Sequence, residues 1–357
     1  MDLLDNLEVI KQRDPEDALG IIANSAELLT WDADFVNFRA EDLGGWRPTN
    51  IVLSGMGGSA IGGLIIKAWL DQERLLDLPF EVSRNYYLPN WVDSGTLAII
   101  VSVSGNTEET LSSLDDALDR GAKVAIITTG GKLLDRAMAE NLPFIQIKKV
   151  MQPRHGVLMH LRAITQVLTA FGLANGAHEQ LAAAHDFAQA VPANFTSDVP
   201  SENNFAKQLA LLCVGKTPLI YASSQFAPIA YKWKISFNEN ARNIAWTGEF
   251  PEFNHNEMMG WTSHPIEKPF AVLNLRSNLD SPRVNQRFDL STKMLSGKRP
   301  TPREIWLDHD TIGAKTLLEQ MIYGFMLADF AAIYVAILNN VNPSTSDFVE
   351  QFKKELA

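Results

Sequence analysis

The sequence predicts an α/β protein with two doubly wound domains, each a parallel sheet flanked by helices. In both halves of the chain, apolar runs rich in β-branched residues alternate with segments of helical period. The runs are residues 50–53, 97–101 and 123–127 in the first half, and 217–222 and 270–275 in the second. The first three are apolar on both faces, as strands covered by helices on both sides must be.

The length of the chain also favours two domains. Its 357 residues exceed the size, about 250 residues, at which one compact core usually splits. A polar loop with two prolines runs over residues 191–202. We therefore predict an N-terminal domain with helices at its start, residues 1–192, and a C-terminal domain with helices at its end, residues 193–357.

The charge balance argues against two classes of partner. The chain has 31 Lys and Arg residues against 42 Asp and Glu residues, a formal net charge of −11. Such a charge repels nucleic acids and anionic membrane surfaces unless a basic patch intervenes. The sequence has no such patch, so we expect neither a nucleic acid nor a membrane as a partner.

Three features indicate the cytoplasm. The single cysteine, Cys213, excludes an intrachain disulfide and a cysteine-cluster metal site. Residues 1–19 have the pattern of an acidic amphipathic helix and not of a secretory signal. Residues 321–338 are apolar over nearly a membrane span. However, Asp329 lies in their middle, and a charge there is costly in lipid, so we predict a buried helix.

A glycine-rich segment, residues 54–63, follows the first predicted strand and precedes a helical pattern. It holds five glycines between Gly55 and Gly63, which free the backbone to approach a ligand closely. The start of a helix attracts anions through its backbone N–H groups and its dipole. The segment predicts an anion site. The alternative is a turn whose glycines serve only the packing of helix against strand.

A second segment, residues 102–110, also ends a strand and opens a helix. Its serine and threonine hydroxyls surround Gly105, and hydroxyls with backbone N–H groups form phosphate cradles without formal positive charge. A sugar phosphate fits this chemistry. The alternative is that Ser104, Asn106 or Thr107 only caps the helix.

Two further regions carry side chains suited to acid–base chemistry. Arg154 stands at the head of a helical segment, where a guanidinium can pair with a phosphate or an enolate oxygen. Residues 232–242 and 249–257 crowd carboxylate, amide and imidazole groups, and they include Glu239 and His255. A carboxylate near apolar walls becomes a usable base near neutrality, and a histidine is a candidate acid, base or ring-opening catalyst. Taken singly, a surface arginine, a solvated glutamate and a packed loop histidine bonded to its asparagine neighbours are the simpler interpretations.

A metal site is not expected. The sequence Asp308-His309-Asp310 is the one tight cluster of suitable ligand types. It has no third partner at ligand spacing.

Taken together, these segments resemble the SIS-domain sugar isomerases, and among them the bifunctional phosphoglucose/phosphomannose isomerase family. The residues that carry the resemblance are GMGGSAIGG, SVSGNTEET, PR, FNENAR and EFNHNE, and the likeness spans roughly residues 51–353. It implies two SIS domains and the reversible isomerisation of glucose 6-phosphate or mannose 6-phosphate to fructose 6-phosphate. The reaction passes through a cis-enediol, without metal or cofactor.

The resemblance also implies roles for individual residues. Those that correspond to the phosphate-binding positions of the family are Gly57, Gly58, Ser59, Ser102, Ser104 and Thr107. Arg154 corresponds to the residue that stabilises the enediolate, and Glu239 to the base that moves the proton between C1 and C2. His255 corresponds to a ring-opening histidine supplied by the partner subunit, which implies a homodimer. Lys353 is the better match for a ring-opening lysine, with Lys354 as the alternative.

Two positions depart from the family pattern, and two alternative functions stay open. Ala60 stands where glycine is usual, and Arg242 where lysine is usual. Space near residues 345–346 would let the open-chain intermediate rotate about C2–C3 and so admit mannose substrates. The alternatives are another SIS-domain sugar-phosphate isomerase, or a regulator that binds a sugar phosphate without catalysis.

Overall fold

The computed structural model describes residues 3–263 and 269–356, without the side chains of residues 353 and 354. The chain forms two compact units. We call Ser25–Asp186 the first domain, and Met1–Asn24 with Phe187–Ala357 the second domain. Helices α1 (Leu7–Arg13) and α2 (Ala18–Ala23) open the second domain.

This division differs from the predicted one in two ways. The boundary lies at Asp186/Phe187, six residues before the predicted 192/193, and the first 24 residues belong with the C-terminal half. The physical reason for the second difference is packing, because α1 and α2 lie against the long helix Leu317–Leu338 of the second domain. Their apolar side chains Ile10, Leu19 and Ile22 are buried there.

The first domain contains a six-stranded sheet with the order β1-β6-β5-β4-β2-β3. All pairs are parallel except the antiparallel pair of β1 with β6. The three strands that the apolar runs predict are confirmed. The strands are β1 (Phe35–Val36), β2 (Asn50–Gly55), β3 (Phe80–Ser83), β4 (Thr96–Ser102), β5 (Lys123–Thr128) and β6 (Phe144–Gln146).

Helices follow the strands of this sheet and cover it. The next six helices along the chain are α3 (Gly57–Gln72), α4 (Glu108–Asp119), α5 (Gly131–Ala139), α6 (Val157–Ala170), α7 (Ala177–Ala183) and α8 (His185–Ala190), the last of which spans the domain boundary. Short 3-10 helices occupy Leu3–Asp5, Ser25–Leu29, Ala40–Leu43, Pro153–His155, Val191–Asn194, Ser224–Phe226 and Glu252–Asn254.

The order of strands creates a switch point between β2 and β4. The chain leaves β2 for β3 on one side and returns to β4 on the other. The register pairs Gly55 with Val101, so the carboxyl ends of both strands lie side by side. Ligands of doubly wound sheets bind at such a point, and here it joins the glycine-rich segment to the hydroxyl-rich segment.

The second domain contains a four-stranded parallel sheet with the order β10-β9-β7-β8. Its strands are β7 (Thr217–Ser223), β8 (Trp246–Phe250), β9 (Phe270–Arg276) and β10 (Arg303–Trp306). Its further helices are α9 (Phe205–Cys213), α10 (Ala227–Glu239), α11 (Glu257–Gly260), α12 (Pro282–Met294), α13 (Leu317–Leu338) and α14 (Asp347–Leu356). The predicted fold class of two α/β domains is therefore confirmed.

Helix α13 forms the centre of the second domain. It has 22 residues, and its length and composition would allow it to cross a membrane. However, 94% of its most apolar stretch is buried inside the structure, which agrees with the prediction of a buried helix. The charge at its middle, Asp329, is also buried and is paired with Lys232 of α10.

Candidate active site

The glycine-rich segment forms a tight loop between β2 and α3. Strand β2 ends at Gly55, and α3 begins two residues later at Gly57, whose φ is +52°. The residue before the helix, Met56, makes no side-chain capping bond. The first turn of α3 therefore presents its backbone to the switch point with no side-chain cap, as an anion site requires.

The same loop lies directly against the 3-10 helix that carries Arg154. A Cβ atom built on Gly58 would lie 3.0 Å from the Pro153 carbonyl and 3.3 Å from the Arg154 backbone nitrogen. Glycine at position 58 is thus needed for this close approach. The Arg154 side chain is buried, and its Nη1 donates a hydrogen bond to Oε1 of Gln152 at 3.2 Å.

The hydroxyl-rich segment forms a network at the end of β4. Ser102 Oγ and Thr107 Oγ1 lie 2.9 Å apart. The Gly105 N–H donates to Ser102 Oγ at 3.1 Å, and the Asn106 N–H donates to Ser104 Oγ at 3.2 Å. These side chains shape the loop and do not cap α4, since its N-cap residue, Thr107, makes no capping bond. The alternative that they serve only as caps is therefore wrong.

Glycine at position 105 is required by the neighbouring loop after β5. Gly105 has a φ of +66°, and a Cβ atom at this position would lie 1.7 Å from the Gly130 carbonyl oxygen. Thr128 holds that oxygen in place with a hydrogen bond of 2.9 Å from its Oγ1. The carboxyl ends of β2, β4 and β5 therefore meet in one closely packed set of loops.

All six predicted phosphate-binding residues lie at this edge of the first sheet. Ser59 and Ser102 are buried, Thr107 is half-buried, and Gly57 and Ser104 are exposed. The buried residues would form the floor of a cradle for a small anion, and the exposed residues would form its rim. Ala60, where the family usually has glycine, is buried, so its extra methyl group is accommodated in the packing around α3.

A fully buried histidine packs against α3, the helix that follows the glycine-rich loop. His160 of α6 packs on α3, where a Cβ on Gly62 would lie 2.8 Å from the His160 Cβ. Burial lowers the pKa of His160 from the ordinary 6.5 to about 4, and a smaller opposing effect comes from the Gly58 backbone. The ring is therefore neutral at physiological pH.

In the second domain, Glu239 is the last residue of α10. Trp233, Phe237 and Ala241 form a buried stripe along this segment, because all three are at most 1% exposed. Glu239 lies off this stripe, and its side chain is exposed, so it does not sit within apolar walls. An exposed carboxylate at a helix end is accessible to a ligand.

Arg242 links the end of α10 to the start of α14. It has a φ of +50°, which turns the chain away from the helix. Its Nη2 donates a hydrogen bond to Thr345 Oγ1 and lies 4.0 Å from the carboxylate of Asp347, the first residue of α14. The segment that leads to Lys353 is thus anchored beside the end of α10. The Lys353 and Lys354 side chains lie outside the described residues.

His255 lies in the loop after β8, at the end of the 3-10 helix Glu252–Asn254. Its ring is exposed. The adjacent asparagines bond elsewhere, Asn254 to Ser291 at 2.7 Å and Asn256 to Glu252 at 2.5 Å. The exposed ring does not have the burial expected of a packed loop histidine.

Glu239 and His255 lie at opposite edges of the second sheet. The end of α10 is at the amino edge, because Asn243 donates to the carbonyl of Lys216, the residue before β7, at 3.0 Å. His255 follows the carboxyl end of β8. The five residues of β8 separate the two edges by about 16 Å at ~3.3 Å per residue. Close spacing in the sequence suggested one crowded group, but a single chain does not bring the two side chains together.

Arg299 is a buried cation that the sequence analysis missed. It is 5% exposed, and within the described residues its guanidinium nitrogens make no hydrogen bond. The guanidinium lies 5.4 to 5.9 Å from three ring centres, those of Tyr221, Phe253 and Trp261. Burial lowers the pKa of Arg299. No local sequence signal marks this residue, because its aromatic neighbours are distant along the chain.

Tyr221 connects this aromatic group to the loop of His255. Its hydroxyl donates to the carboxylate of Glu257, two residues after His255. Burial raises the pKa of Tyr221, and the negative charge of Glu257 raises it further. A Cβ on Gly248 of β8 would lie 2.5 Å from the Tyr221 ring. The loop that carries His255 is therefore bonded to a buried side chain of β7.

Comparisons with known proteins agree with this arrangement. A family model for the SIS domain matches residues 46–148, and a model for the bacterial phospho-glucose isomerase C-terminal SIS domain matches residues 202–356. A solved glucose-6-phosphate isomerase like protein from Thermus thermophilus has a TM-score of 0.64 at 18% identity, over 98% of each chain. The fold thus defines the chain as a protein of two SIS domains.

Curated relatives identify the family. A bifunctional phosphoglucose/phosphomannose isomerase from Caldicellulosiruptor bescii is 34% identical over 90% of this chain and 92% of the relative. One from Aquifex aeolicus is 32% identical over 89% of this chain and 92% of the relative. The chain belongs to the bifunctional phosphoglucose/phosphomannose isomerase family, as its motifs suggested.

Proposed function

We propose that this enzyme interconverts glucose 6-phosphate, mannose 6-phosphate and fructose 6-phosphate through a cis-enediol. The family makes the chain an isomerase of sugar phosphates. The observation that supports this function best is the joining of the glycine-rich and hydroxyl-rich loops at the switch point of the first sheet. This edge offers helix starts and hydroxyls to an anion.

In this proposal the first domain binds the phosphate ester. Helices α3 and α4, which start at this edge, direct positive dipole ends at the site, and the hydroxyls add donors. The residues assigned to this role are Gly57, Gly58, Ser59, Ser102, Ser104 and Thr107. Dipoles and hydroxyls would thereby bind the dianion, and Arg154, whose backbone lies against Gly58, is assigned to stabilise the oxygen that becomes negative in the enediolate.

Glu239 is assigned as the base. It removes the C2 proton of the open-chain aldose while O1 gains a proton, which gives the enediol. The O2 hydroxyl then loses its proton as the same carboxyl returns a proton to C1, which gives the ketose. Return of the proton to either face of C2 links both aldose epimers to one ketose. Rotation about C2–C3 near Thr345 would permit this. In total, one proton moves from C2 to C1 and one from O2 to O1, and the reaction is redox-neutral overall, so the proposal includes no cofactor.

His255 and Lys353 are assigned to ring opening, and the first requires a second chain. A glutamate and a histidine at opposite edges of one sheet do not serve one site, which supports a homodimer in which each site takes His255 from the partner. The charge of −11 and the buried state of α13 support the cytoplasm as its place of action, with hexose 6-phosphates as substrates.

The reaction is tested by incubating fructose 6-phosphate with the enzyme and measuring both aldose phosphates. The wild type should form glucose 6-phosphate and mannose 6-phosphate. Glu239→Gln keeps the shape of the side chain and removes the base, so its kcat should fall by about 10²–10⁴-fold. Asp347→Asn is a matched control that removes a nearby exposed carboxylate and should stay within about twofold. Normal turnover by Glu239→Gln would show that the base is misassigned.

Sharing of sites is tested by mixing inactive chains. Glu239→Gln and His255→Ala homodimers are combined under conditions that exchange subunits. A mixed dimer contains one site with both wild-type residues if His255 crosses the interface, so activity should return to about a quarter of the wild-type value. If exchange is proven by mass spectrometry and activity does not return, His255 acts within its own chain or not at all.

A further inference from the structure

A buried polar network connects α10 to α13 on the helix face that ends in Glu239. Lys232 Nζ donates to Ser236 Oγ at 2.8 Å and also to the carboxylate of Asp329. Ser236 Oγ lies 2.7 Å from the same Asp329 oxygen. Lys232 and Ser236 are fully buried and Asp329 is 2% exposed, so water does not replace these bonds.

The spacing places the network in line with the proposed base. Lys232, Ser236 and Glu239 occupy positions i, i+4 and i+7 of α10, which lie on one face of a helix. The last turn before Glu239 is closed by the Asn240 N–H, which donates to the Ser236 carbonyl at 2.9 Å. A shift at Ser236 is therefore transmitted directly to the end of the helix.

Neighbouring contacts make α10 and α13 a rigid pair. Trp233 Nε1 donates to the Gly324 carbonyl at 2.8 Å, and Asn339 Nδ2 donates to the Ala241 carbonyl at 3.3 Å. The Trp233 bond lies beside Lys232 in the middle of α10, where the buried network adds an ion pair, and the Asn339 bond lies just beyond the ends of both helices. Buried ion pairs contribute little to stability compared with apolar side chains of similar volume. A stability role alone is thus a weak explanation for this one.

We propose that Lys232, Ser236 and Asp329 are positioning residues that fix the rotation of α10 on α13 and so aim the Glu239 carboxylate at the substrate carbon. The proposal rests on the function proposed above, since it assigns Glu239 as the base. None of the three residues touches the substrate. Their effect is to hold a general base within the short distance that proton transfer requires.

The test replaces the ion pair by apolar side chains of similar size. In the double variant Lys232→Met with Asp329→Leu, kcat per folded chain should fall by at least fivefold, with KM within twofold of wild type. Ser236→Ala keeps the ion pair and folds with a smaller disturbance, and its kcat should fall by at least twofold. The control is Lys207→Met, which removes another fully buried lysine of the second domain, bonded to Asp5 at 3.1 Å, and should leave kcat per folded chain unchanged.

Circular dichroism gives the folded fraction, and glucose 6-phosphate deuterated at C2 reports on the proton-transfer step. Misplacement of the base slows that step, so the isotope effect on kcat should equal or exceed that of the wild type. Unchanged kcat per folded chain in Ser236→Ala or in a folded double variant, or a smaller isotope effect, would overturn the proposal. If Glu239→Gln itself remains active, the assigned base is wrong; if it is inactive while the network variants are normal, only the positioning role is wrong.

Discussion

The two domains share a parallel SIS architecture but offer different chemistry at the edges of their sheets. At the carboxyl edge of the first sheet, glycines, hydroxyls and helix starts dominate, and the nearest arginine, Arg154, is buried beside them. In the second domain, charged and titratable side chains lie at both edges, with Glu239 and Arg242 at one and His255 at the other. In the proposed function, one copy of the fold would bind the phosphate and the other would supply the acid–base groups.

The difference shows what each task requires. A phosphate dianion is bound well by fixed dipoles, because these need no counterion and do not titrate. Proton transfer needs side chains that titrate and that are reached by the substrate. On the proposed assignment, function in the first domain would depend on backbone geometry, whereas in the second it would depend on the identity and position of individual side chains. Each prediction below tests this contrast.

The largest effect is expected from a single methyl group in the first domain. In Gly105→Ala, the new Cβ would clash with the Gly130 carbonyl at a positive φ, so the loop must move. We expect kcat/KM to fall by about 10³-fold, mainly through KM, since both the cradle and its donors are displaced. Gly172→Ala is the control, with a φ of +72° but open space around it, and it should keep normal kinetics. Equal kinetics in both variants would show that the loop geometry is not required.

The next effect concerns acid stability and His160. Because its pKa is about 4 when folded, the unfolded chain binds more protons between pH 6.5 and 4. This contribution to stability is full above pH 6.5 and is lost as the pH falls to about 4. It amounts to about 3 kcal/mol.

Denaturant unfolding of wild type and His160→Gln at pH 7 and at pH 4 measures this contribution. The wild type should lose more of its free energy of unfolding than the variant, by up to about 3 kcal/mol. The variant controls for all other titrating groups. Equal losses in both proteins would mean that the buried ring is not neutral in the native state.

A smaller effect is expected from removing one donor of the cradle. Thr107→Val keeps the shape of the side chain but loses the hydroxyl that lies 2.9 Å from Ser102 Oγ. One hydrogen bond to a charged group contributes about 1.5–3 kcal/mol, so KM should rise by roughly 10–100-fold while kcat stays within threefold. Thr165→Val in α6, whose hydroxyl bonds to the Leu161 carbonyl, is the matched control. An unchanged KM for Thr107→Val would contradict the assignment of the Thr107 hydroxyl to phosphate binding.

The sequence predicted the parts of the fold that depend on local patterns. Strands such as Thr96–Ser102 are apolar on both faces, and this pattern alone indicates a covered parallel sheet. The same reasoning placed the loops of Gly57 and Ser104 at the carboxyl ends of strands, whereas the pairing of β2 with β4 is seen only in the structure. The association of the first 24 residues with α13 has no such signal, because it arises from packing between segments distant along the chain.

The candidate site shows the same limit. Motifs identified Glu239 and His255, but only the course of β8 reveals that they lie at opposite edges of the sheet. Asp329 was recognised as unusual in an apolar helix, yet its partner Lys232 is 97 residues away. Arg299 gives no signal at all, since its environment is made by three separate elements.

The central claim is that the first domain binds the phosphate while Glu239 of the second domain moves the proton. It is tested most directly by incubating fructose 6-phosphate in D₂O with wild type or Glu239→Gln and following deuterium at C1 by NMR, alongside calorimetric binding of the substrate. The account predicts rapid incorporation by the wild type. For Glu239→Gln it predicts incorporation slowed by at least about 10²-fold, with affinity within threefold of wild type. Incorporation at the wild-type rate by Glu239→Gln, or loss of binding together with exchange, would contradict it.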